Sequence, residues 1–319
     1  MTILITEQDV ESMLSIGDAI PIMEEVFRMA GEGETENPPR YRMPTAKGFM
    51  QFGPGVLHGG RQVAGFKLWA NFGSPLKGTW DFLYSMETGE FLAIIQAHLI
   101  SKFRTAAVTA VAVKRLSPRD ASILGMYGSG RQAEAQLEAI CAVRPIRRAQ
   151  VYSRTRDKLE AFCRRMSGKL NIEVIPVAEP AQVPRDADIV VTITKSEVPV
   201  LFGKWVTRPC LVVGAGANHW YEREIDEKLV ESAKFIVVDE KEHSKVEGGD
   251  LLWVIGHGRL RWDQVWNLGD VVIGRAPVPD FGDGIILFES HGLAIEDVAI
   301  AEKAYELARA RGIGTSITL

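Results

Sequence analysis

A glycine-rich segment in the middle of the chain has the residue types and spacing that hold a diphosphate. It follows a short apolar run, opens a helical one and reads G-x-G-x-x-A. The first glycine permits a tight turn, the second lets backbone approach a pyrophosphate, and the alanine lets helix and strand pack closely. Free N–H groups at the helix start attract phosphates. This predicts a dinucleotide site, the alternative being a turn needed only for packing. The segment consists of Gly128, Ser129, Gly130, Arg131, Gln132 and Ala133.

The end of the next predicted strand bears on which dinucleotide is bound. NAD sites usually carry an acid there, which binds the ribose 2′-hydroxyl. Here the strand ends in Ser153, Arg154 and Thr155, and the first acid is Asp157. A hydroxyl and a guanidinium suit a 2′-phosphate. We therefore expect NAD(P)(H), with NADP preferred; the alternative is an exposed helix start with solvated arginines.

The elements around these segments alternate between short apolar runs and helical runs. This alternation predicts βαβ units and a parallel sheet. The predicted strands are 121–127, 150–153, 172–177, 189–194, 211–214 and 235–239, with helices at 131–142 and 157–166. The first 115 residues lack this rhythm, and their pattern predicts an antiparallel sheet. Its strands are 48–53, 63–72, 79–86 and 91–97, accompanied by helices at 16–30 and 101–116. A further helix is predicted near the C-terminus, at 295–310.

Composition excludes several classes of protein. The 319 residues carry 37 Lys+Arg against 41 Asp+Glu, so we expect no nucleic-acid or membrane partner. No apolar run approaches the roughly 18 residues of a membrane span. The first residues contain no basic stretch, so we expect no secretory signal. Three cysteines without C-x-x-C spacing favour a reducing, cytoplasmic location. The histidines show no metal-ligand spacing, so no metal is expected.

Several stretches together resemble the ornithine cyclodeaminase/mu-crystallin family. They are residues 103–107, the glycine-rich loop, 214–218, 223–226 and 288–292. The resemblance implies an α/β chain in which a Rossmann-type NAD(P)-binding domain, 118–286, is inserted into an α+β domain, 1–117 plus 287–319. The α+β domain would bind substrate and form a homodimer. Known members exchange hydride at the α-carbon of an amino or imino acid.

The resemblance also implies which side chains meet the substrate. Arg40, Lys67 and Arg104 match family positions that hold the carboxylate, where converging cations would orient it strongly. Lys67 would also transfer the proton, because neighbouring cations disfavour its charged form; the alternative is a lysine that only binds the carboxylate. Arg42 would share a strand face with Arg40 and bind substrate, or be solvated.

Two positions depart from the cyclodeaminases. Gln51 stands at or near a family glutamate, and Asn218 stands at an aspartate that handles the substrate's side-chain amine. An amide cannot accept that proton, so ring-closing deamination would be impaired. The missing acids leave a cation excess that favours a small or acidic substrate such as iminosuccinate, with Arg42 or His219 binding its second carboxylate.

Further cofactor contacts follow from the same resemblance. Thr192 and Thr194, at the end of the fourth Rossmann strand, would flank the nicotinamide or be plain strand threonines. His291 would be a catalytic acid or, preferably, a packing or cofactor contact. The remaining predicted cofactor contacts are Thr105, Gly214, Ser290 and Gly292.

We therefore predict an NAD(P)H-dependent oxidoreductase acting on CH–NH2 or C=N groups. It would reduce a small 2-imino acid, such as iminosuccinate or the imine of pyruvate and ammonia, to the L-amino acid, or run in reverse as an amino-acid dehydrogenase. One alternative is an ornithine/lysine-type cyclodeaminase with tightly bound NAD. The other is a non-catalytic, nucleotide-dependent binding protein.

Overall fold

The computed structural model describes residues 2–73 and 78–318, which form two compact units. The first unit is Met1–Arg104 with Gly292–Leu319, and the second is Thr105–His291. Each contains one eight-stranded sheet among the described residues. The domain limits expected from the sequence, 117/118 and 286/287, divide the chain at other positions and stay a prediction.

The helices and strands are numbered in chain order. The strands are β1 (Thr2–Ile5), β2 (Thr35–Glu36), β3 (Tyr41–Thr45), β4 (Gly48–Leu57), β5 (Val63–Asn71), β6 (Gly78–Ser85), β7 (Phe91–Gln96), β8 (Ile123–Tyr127), β9 (Arg148–Tyr152), β10 (Glu173–Pro176), β11 (Ile189–Thr192), β12 (Leu211–Gly214), β13 (Phe235–Val238), β14 (Val265–Asn267), β15 (Ile286–Glu289) and β16 (Thr315–Ile317). The α-helices are α1 (Glu7–Met13), α2 (Ile16–Glu32), α3 (His98–Leu116), α4 (Arg131–Val143), α5 (Arg156–Leu170), α6 (Glu227–Ser232), α7 (Lys241–Glu247), α8 (Gly249–Gly256), α9 (Leu268–Val272) and α10 (Ala294–Arg311).

The sheet of the first unit has the order β16-β1-β7-β6-β5-β4-β2, and β3 pairs with β4. Only β1 and β7 run parallel among these described pairs. Helix α10 packs closely on one face: a Cβ at Gly55 would lie 2.8 Å from the backbone N of Ile295. Since side chains alternate between faces, Gln51, Lys67 and Asp81 share the face covered by α10.

The sheet of the second unit is parallel throughout, with the order β10-β9-β8-β11-β12-β15-β13-β14. Its first five strands follow the order typical of dinucleotide-binding folds, which reverses between β8 and β11. Ligands of such sheets bind beyond the carboxyl ends of the strands at this reversal. The predicted α/β fold class, with a Rossmann-type parallel sheet and a second α+β part, is confirmed.

Candidate active site

The glycine-rich loop connects β8 to α4 in a conformation that suits a diphosphate. Gly128 has a φ of +116°, and a Cβ there would lie 2.6 Å from the carbonyl oxygen of Ile193. Gly130 is the N-cap of α4 and has no side chain with which to cap the helix; a Cβ on it would meet nothing within 4 Å. Because no N-cap side chain stands in front of α4, an anion can approach the start of the helix at Gly130.

The predicted 2′-phosphate segment lies beside this loop in the same unit. The N–H of Gly128 donates to the carbonyl of Tyr152, the last residue of β9, at 2.9 Å. Ser153 follows β9 and is half-buried, and Arg154 and Thr155 are exposed before α5 begins. The two segments thus meet at one edge of the sheet, as expected for the carboxyl ends of adjacent parallel strands.

A buried glutamate that the sequence analysis missed organises the ends of β11 and β12. Glu224 accepts hydrogen bonds from the hydroxyls of Thr192 (3.0 Å) and Thr194 (2.6 Å) and from the N–H of Gly216 (2.8 Å). Burial raises the pKa of Glu224 above its ordinary value, although these hydrogen bonds oppose the shift. Thr192 is fully buried, which favours the structural role of a strand threonine over a nicotinamide contact. For the half-buried Thr194, a nicotinamide contact stays a prediction.

Further buried acids surround Glu224. Asp250 accepts the N–H groups of Glu224 and Ile225, both at 3.0 Å. Burial, reinforced by the charge of Glu224, raises the pKa of Asp250 to about 8. Burial and the neighbouring acids also raise the pKa of Glu289, at the end of β15, well above its ordinary value. Above the ordinary pKa of a carboxyl group, these three acids therefore keep protons in the fold that an unfolded chain releases.

This cluster should make stability depend on pH. The pKa of Asp250 is near 4 in an unfolded chain and about 8 in the fold. Between these values the native state binds more protons, so stability falls as pH rises through this window, by at most about 1.4 kcal/mol per pH unit for one group. Asp250→Asn should flatten that slope when denaturant unfolding is measured from pH 5 to 8. If the variant shows the same slope as the wild type, Asp250 is not a source of the pH dependence of stability.

Asn218 lies in the turn after β12. Its amide oxygen is 2.7 Å from Nδ1 of His219, and its N–H donates to the carboxylate of Glu222 at 3.0 Å. These bonds hold Asn218 and His219 in one local network. Their roles toward a substrate stay predictions.

The residues after β15 are tied to the rest of the second unit through Asp239. The N–H of His291 donates to Asp239 at 2.6 Å, and the hydroxyl of Ser290 donates to it at 3.4 Å. The His291 ring is buried, with Nδ1 3.3 Å from the carbonyl oxygen of Ala217. This buried environment favours a packing role for the His291 ring over a role as a catalytic acid. The contacts predicted for Thr105, Gly214 and Ser290 stay predictions.

In the first unit, Lys67 is held by partners from two helices. Its Nζ donates to Asp297 of α10 at 2.9 Å and to Ser101 of α3 at 2.5 Å. The Ser101 hydroxyl donates in turn to the carbonyl of Ala97 at 2.6 Å, so it serves Lys67 as an acceptor. Burial would raise the pKa of Asp297, but the charges of Arg104 and Lys67 outweigh it and bring the pKa below its ordinary value.

Arg104 lies beside Lys67. It donates to Glu296 at 3.0 Å, and its Nε is 3.4 Å from Asp297. Gly292 allows this approach, since a Cβ there would lie 2.2 Å from a guanidinium nitrogen of Arg104. The carbonyl of Gly292 also accepts a 2.6 Å hydrogen bond from Arg40. The structure thus gathers Arg40 and Arg104 around Gly292.

Arg42 and Gln51 form a pair across β3 and β4. The guanidinium donates to the Gln51 amide oxygen at 3.0 and 2.8 Å. Arg40 immediately precedes β3, and its Cβ lies 3.6 Å from the position that a Cβ on Gly53 would take. Gly53 shares a sheet face with Gln51, and the ladder places Gln51 directly opposite Arg42. The two arginines therefore lie on the same face, as expected from the sequence.

Two acids offset part of the cation excess that is expected from the sequence. Glu296 and Asp297, in the first turn of α10, are buried and form ion pairs with Arg104 and Lys67. Asp297 faces Lys67, so its negative charge offsets the repulsion that Arg40 and Arg104 alone would exert on the Lys67 ammonium group. The sequence analysis missed both acids, although an acidic pair within the apolar run 293–301 was a visible signal.

Two negative findings concern the described residues alone. Within 2–73 and 78–318, no group of three or more His, Cys, Asp or Glu side chains could hold a metal ion. Over the same ranges, no helix is long and apolar enough to cross a membrane.

A parallel sheet of this strand order, with a diphosphate loop at its carboxyl edge, defines a dinucleotide-binding protein. The family model of the ornithine cyclodeaminase/mu-crystallin family matches residues 1–312. The chain belongs to that family, as the resemblance implied.

Proteins similar to this chain indicate which class of enzyme it belongs to. Alanine dehydrogenase of Archaeoglobus fulgidus is 32% identical over 327 residues, covering 99% of this chain and 98% of that protein. Thermococcus litoralis Δ1-pyrroline-2-carboxylate reductase, solved with NADH and L-proline, superposes with a TM-score of 0.93 at 30% identity, covering 99% and 100% of the two chains. Paracoccus denitrificans iminosuccinate reductase, solved with NAD+, superposes with a TM-score of 0.93 at 26% identity, covering 100% of this chain and 99% of that chain. These similarities confirm the predicted class, an oxidoreductase of CH–NH2 or C=N groups.

Proposed function

We propose that this protein reduces a small 2-imino acid to the L-amino acid with NAD(P)H, and oxidises the amino acid in reverse. The observation that carries the proposal is the arrangement of Lys67 and Arg104 around Asp297 in a chain that also carries a dinucleotide loop. The alanine dehydrogenase and the two imine reductases described above support it.

The bound dinucleotide would supply hydride to the imine carbon. Lys67 supplies the proton for the imine nitrogen: an ammonium has three donors, and Ser101 and Asp297 occupy two of them. The third donor is left for the substrate. Arg40 and Arg104 would hold the carboxylate, where guanidinium groups bind both oxygens in a fixed orientation.

A substrate with a second carboxylate is our preferred candidate. Arg42 is held in place by Gln51 on the α10 side of the sheet, and a guanidinium suits a carboxylate better than a cationic side chain. Gln51 and Asn218, where cyclodeaminases carry acids, weaken the case for ornithine or lysine. The iminosuccinate reductase named above is a relative that acts on such a diacid.

A steady-state comparison tests this proposal. Oxidation of NADH and NADPH would be followed with oxaloacetate plus ammonia, pyruvate plus ammonia, and Δ1-pyrroline-2-carboxylate. We expect net oxidation, with the largest kcat/KM for the diacid; no advantage for the diacid would refute that substrate. Ammonia release from ornithine without net cofactor change would indicate a cyclodeaminase. Saturable nucleotide binding without turnover would indicate a binding protein.

We also propose that Arg154 binds the 2′-phosphate of NADP. The side chain is exposed directly after β9, where NAD-specific sites place an acid. Arg154→Ala should weaken NADPH binding by about tenfold to a hundredfold, because a charge-assisted hydrogen bond contributes about 1.5–3 kcal/mol. The affinity for NADH should stay unchanged. Fluorescence titration with both nucleotides measures the two values.

Arg164→Ala is the matched control for this prediction. Arg164 lies on α5 with an exposed side chain, 4.0 Å from Glu160. Its removal should change neither affinity. Equal losses for NADH and NADPH in Arg154→Ala would mean that the arginine does not distinguish the two dinucleotides.

We further propose a homodimer formed through the outer face of the antiparallel sheet. An aromatic row crosses this face, with ring centroids 4.9 Å apart for Phe52 and Phe66, 4.5 Å for Phe66 and Phe82, and 6.3 Å for Phe82 and Phe91. Apolar patches of this kind mark interaction sites, and a second copy offers a self-complementary partner. Sedimentation velocity tests this; a monomer at micromolar concentration would contradict it.

A further inference from the structure

Asp81 on β6 is a buried carboxyl group without a role in the chemistry above. Its side chain lies on the α10 face of the sheet and is 2% exposed. Neither carboxyl oxygen has a hydrogen-bond partner among the described residues. A buried carboxylate without hydrogen bonds is strongly disfavoured, whereas a protonated carboxyl group is tolerated. The surroundings therefore favour the protonated acid.

Asp81 lies directly opposite Lys67 in the β5–β6 ladder. Opposite residues have Cβ atoms about 4.5–5.5 Å apart, so the two side chains leave the sheet side by side. The charged groups facing Asp81 are Lys67 from β5, Asp297 from α10, Arg104 from α3 and Glu7 from α1. Burial raises the pKa of Asp81 well above its ordinary value, and the charge of Asp297 adds to the shift.

Asp297 has the opposite protonation preference. It accepts a hydrogen bond from Lys67 and lies 3.4 Å from Arg104. These cations favour its ionised form. Two nearby carboxyl groups therefore differ in protonation, one carrying a negative charge and the other a proton. Lys67 faces one carboxylate and one protonated acid.

We propose that Asp81 stores the proton that restores Lys67 during turnover, an inference that rests on the proposed imine reduction. As the imine carbon receives hydride, an N–H bond of Lys67 breaks and its proton joins the substrate nitrogen, leaving a neutral amine. The O–H bond of Asp81 then breaks and its proton joins Nζ. The resulting carboxylate takes a proton from solvent. No oxidant or reductant other than the dinucleotide is needed.

Asp81→Asn tests this role. Asparagine has the shape of the protonated acid and is neutral, but its amide does not act as an acid at neutral pH. We expect kcat to fall by about tenfold or more, with KM and the Kd for NADH unchanged. The alkaline limb of the kcat–pH profile that belongs to Asp81 should disappear. If Asp81 has only a structural role, this variant should keep the kcat and the kcat–pH profile of the wild type. That result would overturn the proposal.

Glu302→Gln is the matched control. Glu302 is a half-buried acid of α10 that pairs with Arg61, and burial raises its pKa as well. Its amide variant should keep the wild-type kcat and pH profile. A loss as large as that of Asp81→Asn would show that any buried acid of this unit affects turnover, which contradicts a specific proton store.

Infrared difference spectroscopy without substrate separates this proposal from the proposed function. The wild type at pH 7 should show the C=O stretch of a protonated carboxylic acid that Asp81→Asn lacks. If no such band is lost, Asp81 holds no proton and the proposal fails, whatever the activity. If the band is lost but the wild type reduces no imine, the proposed function fails, and the proton-store role fails with it.

Stability provides a second measurement on the same variant. The pKa of Asp81 lies higher in the native state than the value of about 3.9 in an unfolded chain. The native state therefore binds more protons above that pH, and this group makes stability fall as pH rises. Asp81→Asn should show a shallower fall than the wild type. A steeper or equal fall would contradict a protonated Asp81.

Discussion

Lys67→Met is expected to lower kcat for imine reduction by about 10²- to 10⁴-fold, the range that a positioned acid–base group contributes. Methionine has a similar length but cannot donate to Ser101, Asp297 or a substrate nitrogen. Asp297 keeps a cation in this variant, because Arg104 lies 3.4 Å away, so the fold should persist. Steady-state kinetics at saturating dinucleotide, together with thermal unfolding, measure both effects.

Lys67→Arg separates the two roles that the sequence leaves open for this residue. Arginine keeps the positive charge and can bind a carboxylate, but it is not deprotonated in proteins. We expect this variant to keep a KM near that of the wild type while losing kcat as Lys67→Met does. Wild-type kcat in the arginine variant would instead identify Lys67 as a carboxylate-binding residue only.

Lys303→Met is the control for both variants. Lys303 also belongs to the first unit and has an exposed side chain on α10, 3.1 Å from Glu306. Exposed ion pairs contribute little to stability, about 0–1 kcal/mol. This variant should therefore keep both kcat and the unfolding temperature of the wild type.

The parallel sheet could be predicted because its signals are local. Each strand of β8 to β12 is a short apolar run, and the G-x-G-x-x-A segment marks the first strand–helix junction. The limits of β12, Leu211–Gly214, agree with the sequence. The helix predicted at 295–310 is also confirmed as α10, and Gly312 ends it with a φ of +65°.

The strands that the sequence analysis missed depend on distant partners. The four-residue strand β1 is defined by β7 and β16, which are both distant from it in the sequence. Strand β3 contains Pro44 and is half-exposed or exposed along its length, so it lacks an apolar alternation. A local pattern does not specify pairing across this distance.

The same limit applies to the acids of the candidate site. The positions of Arg104 and Lys67 could be predicted from motifs, but their ion pairs join residues 192 and 230 positions apart. Counting the missing acids at Gln51 and Asn218 therefore left out two acids that pair with the predicted cations. Burial of Asp81 and Asp297 on one face depends on strand register and helix packing, which only the fold determines.

Gly130→Ala is expected to weaken dinucleotide binding by at least tenfold, or about 1.4 kcal/mol, while the fold stays intact. The φ of Gly130 is −85°, which alanine adopts without strain. A Cβ there would meet no atom of the chain within 4 Å. At a helix N-cap, alanine in place of glycine costs about 1 kcal/mol or less. The new methyl group would instead obstruct a pyrophosphate that approaches the backbone.

Gly168→Ala provides the contrast, because this glycine also has open space around it but lies within α5. That variant should gain about 0.5–1 kcal/mol of stability and keep the Kd for NADH. Titration by nucleotide fluorescence and denaturant unfolding measure the two effects separately. If Gly130→Ala loses affinity at unchanged stability, the Gly130 backbone is needed for the ligand. If it loses stability and keeps affinity, the loop is a packing turn, which is the alternative that the sequence pattern left open.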